Sequence, residues 1–159
     1  ALGFCALPAA ETAEQGGTVD EAVAAAEKRA GNTSAYFYVD TLDYLRRGGR
    51  IGAAQALLGS ALAVKPLLQL RDGRIEPLEK VRTASRAIAR LEEIAAEHAG
   101  GPGVDIAVHH LAAPERALAL ADRLRARLPG LAELHVSEVG AVIGAHTGPG
   151  LLGVVVSPR

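Results

Sequence analysis

The segment Gly140-Ala141-Val142-Ile143-Gly144-Ala145-His146-Thr147-Gly148-Pro149-Gly150 collects residue types suited to holding an anion. Its glycines allow sharp bends, so backbone N–H groups, the Thr147 hydroxyl and the His146 imidazole converge within one turn beside Gly144. Several donors without a carboxylate among them suit a carboxylate or phosphate ligand. A tight loop with a half-exposed histidine is the plainer reading of the same residues. A second candidate is Arg46-Arg47-Gly48-Gly49-Arg50, guanidiniums around a glycine pair, able to grip phosphate or an acidic partner. Its plainer reading is a solvated cationic loop. It is not a nucleotide-binding loop, because G-x-x-x-x-G-K-[ST] is absent from the sequence. One of these arginines is expected to be structural, paired with Asp40 or Asp43, and Arg50 is the choice.

Other polar residues carry less. His109-His110 end a strand pattern, where neighbouring side chains point to opposite faces and cannot share one metal. His98 sits near a helix end and His135 alternates within a strand, so all four read as structural. No H-x-x-x-H or H-E-x-x-H spacing occurs, which argues against a dedicated metal centre. Ser137 and His146 can be imagined as nucleophile and base, but no third group joins them and no G-x-S-x-G elbow is present. Cys5 reads as a small buried hydrophobe. No residue is assigned a catalytic role.

These candidates need elements to position them. The first thirty residues are alanine-rich and helical in pattern. Thr18-Val19-Asp20-Glu21 is a capping box, opening a helix expected to reach Ala30 and stop at Gly31-Asn32. Tyr36 to Val39 reads as the first strand and Thr41 to Leu45 as a short helix. Ala53 to Ala63 is apolar nearly all round, which predicts a helix buried on several sides. Asp72-Gly73 between two strand patterns predicts a hairpin, with Pro77 at an edge or bulge. Ala84, Ala87, Ile88, Leu91, Ile94 and Ala95 form a 3.6-residue stripe behind the N-cap Thr83. Val104–His110 reads as a strand, and Pro114 opens a helix presenting Ala117, Leu118, Ala121, Leu124 and Leu128 on one face. Leu134–Val139 and Leu151–Ser157 complete six strands, with about five helices. The expectation is an α/β (α+β) fold with a mixed six-stranded sheet flanked by helices.

Composition bounds the function. The chain has 159 residues, 49% of them apolar, and 17 basic against 18 acidic side chains. That length and apolar content favour one folded domain and exclude general disorder. A net charge of −1 argues against nucleic acid as a partner. No apolar run reaches the roughly 18 residues of a membrane span, so no stable membrane insertion is expected. The single cysteine forms no internal disulfide, which fits a reducing, cytoplasmic compartment. Aromatics are only 3%, so aliphatic side chains must build the core. Ala1 opens directly into Leu2-Gly3-Phe4 without a signal pattern, and the chain reads as part of something longer.

Tyr38-Val39-Asp40-Thr41-Leu42-Asp43-Tyr44-Leu45-Arg46-Arg47-Gly48-Gly49-Arg50-Ile51 resembles the central signature of the DegV family. Lys65-Pro66-Leu67-Leu68, Asp72-Gly73 with Lys80-Val81-Arg82, and Gly144-Ala145-His146-Thr147-Gly148-Pro149-Gly150 agree in the same order. Residues 1–34 resemble the family's helical passage from an amino-terminal domain, missing here, and 35–159 its carboxy-terminal α/β domain. The resemblance implies a bacterial protein that encloses a long-chain fatty acid between two domains. It would present the carboxylate to a fatty acid kinase subunit, which makes acyl-phosphate for phospholipid synthesis. The binding subunit would be non-catalytic and carry no cofactor. On that reading His146, Thr147 and Gly144 lie at the head group, and Leu57, Leu58 and Leu62 form a flexible wall for the tail. Arg46, Arg47, Arg50 and Arg82 form a cationic rim for the kinase. Rival readings are a small hydrolase or acyltransferase using His146 as base, and an interaction domain without ligand.

Overall fold

The strands are β1 (Ser34–Tyr38), β2 (Lys65–Arg71), β3 (Arg74–Val81), β4 (Val104–His110), β5 (Leu131–Glu138) and β6 (Leu152–Pro158). In the computed structural model, which describes residues 1–57 and 65–159, they form one sheet in the order β3-β2-β1-β6-β4-β5. Only β4 and β5 run parallel; the other pairs are antiparallel. The fold is therefore α/β with a mixed six-stranded sheet, as the sequence implied.

Local chemistry accounts for the connections. Asp72 (φ 49°) and Gly73 (φ 73°) both take the left-handed conformation that a tight hairpin turn demands. β3 is an edge strand, and its register slips so that Leu67 faces Glu79 while Leu68 faces Pro77. The bulge accommodates a proline that has no N–H for the ladder. The parallel pair needs a crossover, which α5 (Pro114–Arg127) supplies.

One face of the sheet is covered by α5 and α4 (Ala84–His98). Leu91, Ile94, Leu120 and Leu124 pack there on Tyr36, Tyr38, Ile106, Val108, Leu152 and Val154. Thr83 caps α4 through its side-chain oxygen, which accepts from Arg86 N at 3.3 Å. Leu118 does not join this face and is 53% exposed; Leu120 takes its place. The buried row is Ala117, Leu120, Ala121 and Leu124, and Leu118 lies about 100° around the helix from Ala117.

The opposite face is covered at its two ends. At one end lie α1 (Leu2–Glu14) and α2 (Val19–Asn32), with Phe4 against Ala107 and Val155. Leu2 and Gly3 already belong to α1. The capping box of α2 is formed, Thr18 N donating to Glu21 Oε2 at 2.7 Å and Glu21 N to Thr18 Oγ1 at 3.3 Å. This helix runs through Gly31 and Asn32 and stops at Thr33, whose hydroxyl donates to Arg29 O at 2.8 Å. At the other end lie α3 (Asp43–Arg47), a 3₁₀ helix (Gly52–Leu57) and α6 (Ala141–Thr147). Their core is Val39, Leu42, Leu45, Ile51, Leu68 and Leu151. The helix expected from Ala53 to Ala63 is thus a 3₁₀ helix as far as Leu57. Its remainder, with Leu58 and Leu62, lies outside the described residues.

Candidate functional site

The two glycine-rich segments interlock. Gly48 follows α3 and lies flat against the His146 ring on α6, so closely that any Cβ there would overlap Nδ1. Gly150 (φ 84°) takes a backbone form that disfavours a side chain, and a Cβ there would overlap the Asp40 carboxylate. The bare glycine backbones let the Asp40–Arg50 region and the His146–Gly150 turn meet. Gly150 N donates to Leu111 O at 2.8 Å, tying the turn to the end of β4. Gly144 is buried in α6 against Leu111 and accepts from Gly148 N at 2.8 Å.

This junction fixes the head of a trough. The trough holds about 550 Å³ and lies on the sheet face between α6 and α1. Phe37, Leu70, Ile75, Val142, Ile143 and Val155 give it an apolar surface. Leu70, Val142 and Ile143 are 50%, 79% and 53% exposed, so the trough is open to solvent. Among the described residues, those with polar side chains that line it include Arg50, His109, Ser137, Glu138, His146 and Thr147.

His146 Nδ1 is buried and has no hydrogen-bond partner among the described residues. A buried N–H without an acceptor is costly, so the proton belongs on Nε2, leaving that atom as the ring's donor. The Thr147 hydroxyl donates to Ile143 O at 3.0 Å, so its proton is already used. Arg50 Nη1 donates to Gly48 O at 2.8 Å, bringing its guanidinium to the glycine that backs His146. Arg50 is not the arginine paired with Asp43; Arg46 is, at 3.1 Å. The reason is helical spacing: Asp43 and Arg46 stand three apart on α3, while Gly49 (φ 67°) turns the chain before Arg50. Arg46 and Arg47, in the last turn of α3, are exposed. Arg82 is exposed where β3, the edge strand, passes into α4. Leu57 is 5% exposed and packs in the core with Ile51 and Leu68.

Asp40 anchors the junction from below. Lys65 Nζ donates to Asp40 O at 3.0 Å, and the Tyr38 hydroxyl donates to Asp40 Oδ1. Burial first, then that bond to a carboxylate, hold the Tyr38 pKa well above its ordinary value, so Tyr38 stays protonated.

Two residues read as structural or paired otherwise in the sequence lie in the trough. His109 and Ser137 are register partners across β4 and β5, and His109 Nδ1 is 2.9 Å from Ser137 Oγ. Ser137 therefore pairs with His109 and not with His146. His110 points away and is 7% exposed. Burial, with His110 beside it acting the same way, pushes the His109 pKa below its ordinary value, so the ring is neutral near pH 7. The sequence signal that could have found this pair is the match of His109-His110 and Ser137-Glu138 at the ends of two strands joined by one helix. His98 Nδ1 bonds to Ile94 O at 2.8 Å, and His135 Nε2 lies 3.1 Å from Glu133. Cys5 is half-buried.

The family model described as "Uncharacterised protein, DegV family" matches residues 1–159. A DegV domain-containing protein of Streptomyces coelicolor is 88% identical over the whole chain, which covers 57% of that relative. Protein DegV of Bacillus subtilis is 42% identical over 97% of the chain and 55% of the relative. The chain thus spans rather more than half the length of these curated relatives. Among solved structures, a fatty-acid-binding DegV family protein from Thermus thermophilus superposes with a TM-score of 0.91 at 33% identity, over 99% of this chain and 56% of the other. DegV of Bacillus subtilis, described as a fatty acid binding protein, superposes with a TM-score of 0.86 at 40% identity, over 99% and 56%.

Proposed function

The chain belongs to the DegV family, and from that premise we propose that it binds a long-chain fatty acid in the trough, with the carboxylate toward His146. The observation that carries the reading is the trough's polarity: an apolar sheet face leads to the Gly48 junction, where His146 packs on the glycine and Arg50 bonds to its carbonyl. That is the distribution of a fatty acid, an apolar tail with one anionic end. Burying a tail of about fourteen methylenes yields roughly 11 kcal/mol before the costs of association. His146 Nε2 and the Arg50 guanidinium supply the head-group donors, and Thr147 and Gly144 shape the turn around them. The wall role expected for Leu57 passes to residues of the sheet, since Leu57 packs in the core. The fatty-acid-binding neighbours from Thermus thermophilus and Bacillus subtilis support the same ligand class.

The finer proposal is that the protein acts in the cytoplasm as a non-catalytic carrier. It presents the carboxylate to a kinase subunit for acyl-phosphate formation and phospholipid synthesis, and a second domain closes the open side of the trough. Arg46 and Arg47, with Arg82 at greater remove, supply cationic surface for that partner. The test uses the full-length Streptomyces coelicolor relative, purified and extracted for lipid mass spectrometry, then stripped and titrated with palmitate and oleate. Recovery of a long-chain fatty acid near one per protein is expected, along with binding that falls in His146→Ala. A protein that carries no lipid and binds neither acid overturns the proposal. Turnover of activated acyl esters, lost in His146→Ala, supports the rival enzyme instead.

A further inference from the structure

We propose that the His109–Ser137 pair is a second polar station in the trough, selecting acyl chains that carry a hydroxyl group. The inference rests on the trough being an acyl-chain site and adds a substrate class to it.

Both side chains line the trough, amid Phe37, Val139 and Val155, and they belong to strands whose register puts them side by side. Their mutual bond uses His109 Nδ1 and leaves Nε2 as the ring's second hydrogen-bonding atom. Two arrangements of the shared proton are possible. If Ser137 donates to Nδ1, the ring carries its proton on Nε2, and the pair offers one N–H donor and the serine lone pairs. If Nδ1–H donates to Ser137, the pair offers an acceptor at Nε2 and the serine O–H. Either way the trough receives one donor and one acceptor, close together.

Ligand groups answer that pair differently. A hydroxyl both donates and accepts, so it satisfies either arrangement in full. A carboxylate accepts only, needs more than one donor and gains most from a cation. The His109 ring is neutral, whereas Arg50 stands at the His146 junction, so the ionised head group belongs there. A plain methylene satisfies neither atom, and an unsubstituted chain lying over the pair desolvates both polar groups without return. The station therefore penalises an unsubstituted chain and favours one that carries a hydroxyl at a matching depth.

The experiment uses the full-length Streptomyces coelicolor relative, stripped of lipid, with stearic acid and a series of monohydroxystearic acids differing in hydroxyl position. Affinities are measured by calorimetry for the wild type and for the variants corresponding to Ser137→Ala and His109→Phe. One positional isomer is expected to bind about five- to tenfold tighter than stearate, the worth of one or two net hydrogen bonds. Both variants should abolish that preference, so that the favoured isomer binds no tighter than stearate in the same variant. Stearate binding with no isomer preferred overturns the station and leaves the acyl-chain site standing. A preference that survives both substitutions overturns the assignment to these residues. Failure of every acid to bind overturns the acyl-chain site and the station together.

Discussion

His146 is held in place by what Gly48 lacks. The ring lies on a bare Cα, and its buried Nδ1 gains no hydrogen bond there among the described residues, so the arrangement costs stability. Removing the ring therefore should not unfold the protein. His146→Ala is expected to shift the urea midpoint little while weakening fatty-acid binding about tenfold or more, the worth of a hydrogen bond to a charged group. Gly48→Ala should give the same phenotype without touching the histidine. Gly48 has an ordinary φ of −77°, so alanine fits the backbone and its methyl group displaces the ring. Gly150→Ala is the contrast, combining a φ of 84° with overlap on Asp40, and should lose about 2–4 kcal/mol of stability. Urea titration and calorimetry of the three variants separate the cases; a Gly48→Ala protein with unchanged affinity would show that the ring position is immaterial. The sequence marked both glycine segments, since their residue types suggested an anion site. It could not show that they touch, because close packing across about a hundred residues leaves no local pattern. The His109–Ser137 pair stayed hidden for a related reason: strand register is a tertiary fact, and alternation alone shows only that one histidine faces each way.

At the scale of elements, features governed by local rules were readable. The capping box, the Asp72-Gly73 turn and the stripe of α4 each depend on residues within one or two turns, and all three stand as the spacing predicts. Features governed by packing were not. The apolar run beginning at Ala53 enters a 3₁₀ helix where Gly52 approaches Ile75 O, and Leu118 loses its buried place through a rotation of one position. Docking of α2 is equally nonlocal. Arg29 reaches from α2 to Asp105 on β4 at 2.5 Å and to Ser157 on β6 at 2.6 Å, while Arg159 reaches Asp105 at 2.8 Å. Asp105 is 1% exposed. Burial pushes its carboxyl up, but the Arg159 and Arg29 guanidiniums outweigh burial and hold it below the ordinary carboxylate value. A depressed folded pKa contributes stability that is complete above the unfolded value, about 3.9, and is lost as pH falls from there through the folded value. Asp105→Asn should therefore be less stable than wild type at pH 7, and the gap should narrow only below about pH 4. Because α2 is the element tied down, amide exchange in α2 and α1 should quicken before exchange in β4 and β6. A stability gap that stays constant from pH 7 to pH 3 would remove the ion pair from the account.

The whole molecule is a sheet with one face sealed by α4 and α5 and the other left with an open trough. The sealed face and the two smaller clusters should let this chain fold alone, and a single cooperative urea transition is the expected outcome. Its trough alone should hold a fatty acid weakly. Each methylene left in water forfeits about 0.8 kcal/mol, so four of them cost more than a hundredfold in affinity. Palmitate titration of this chain beside the full-length Streptomyces coelicolor relative checks that difference; equal affinities would mean the open side needs no cover. The proposed encounter with a kinase belongs to the same scale, because it would depend on the field around the trough and not on one bond. Arg46 and Arg47 are exposed, and the Arg46 pair with Asp43 is half in water on both sides. Such a pair holds its arginine loosely and leaves it able to meet an acidic partner. Exposed rim charges act mainly by speeding encounter, an effect that salt screens over about 10 Å at 0.1 M. Arg46→Ala and Arg47→Ala should thus slow acyl-phosphate formation severalfold at low salt and converge with wild type as salt rises, with fatty-acid affinity unchanged when no kinase is present. Arg50→Ala should differ, since its guanidinium lies at the Gly48–His146 junction and not on the rim. It should lower fatty-acid affinity directly, and that loss should persist at high salt. If Arg46→Ala and Arg47→Ala instead lose lipid while keeping kinase affinity, these side chains fold into the trough when it is filled, and the partner binds elsewhere.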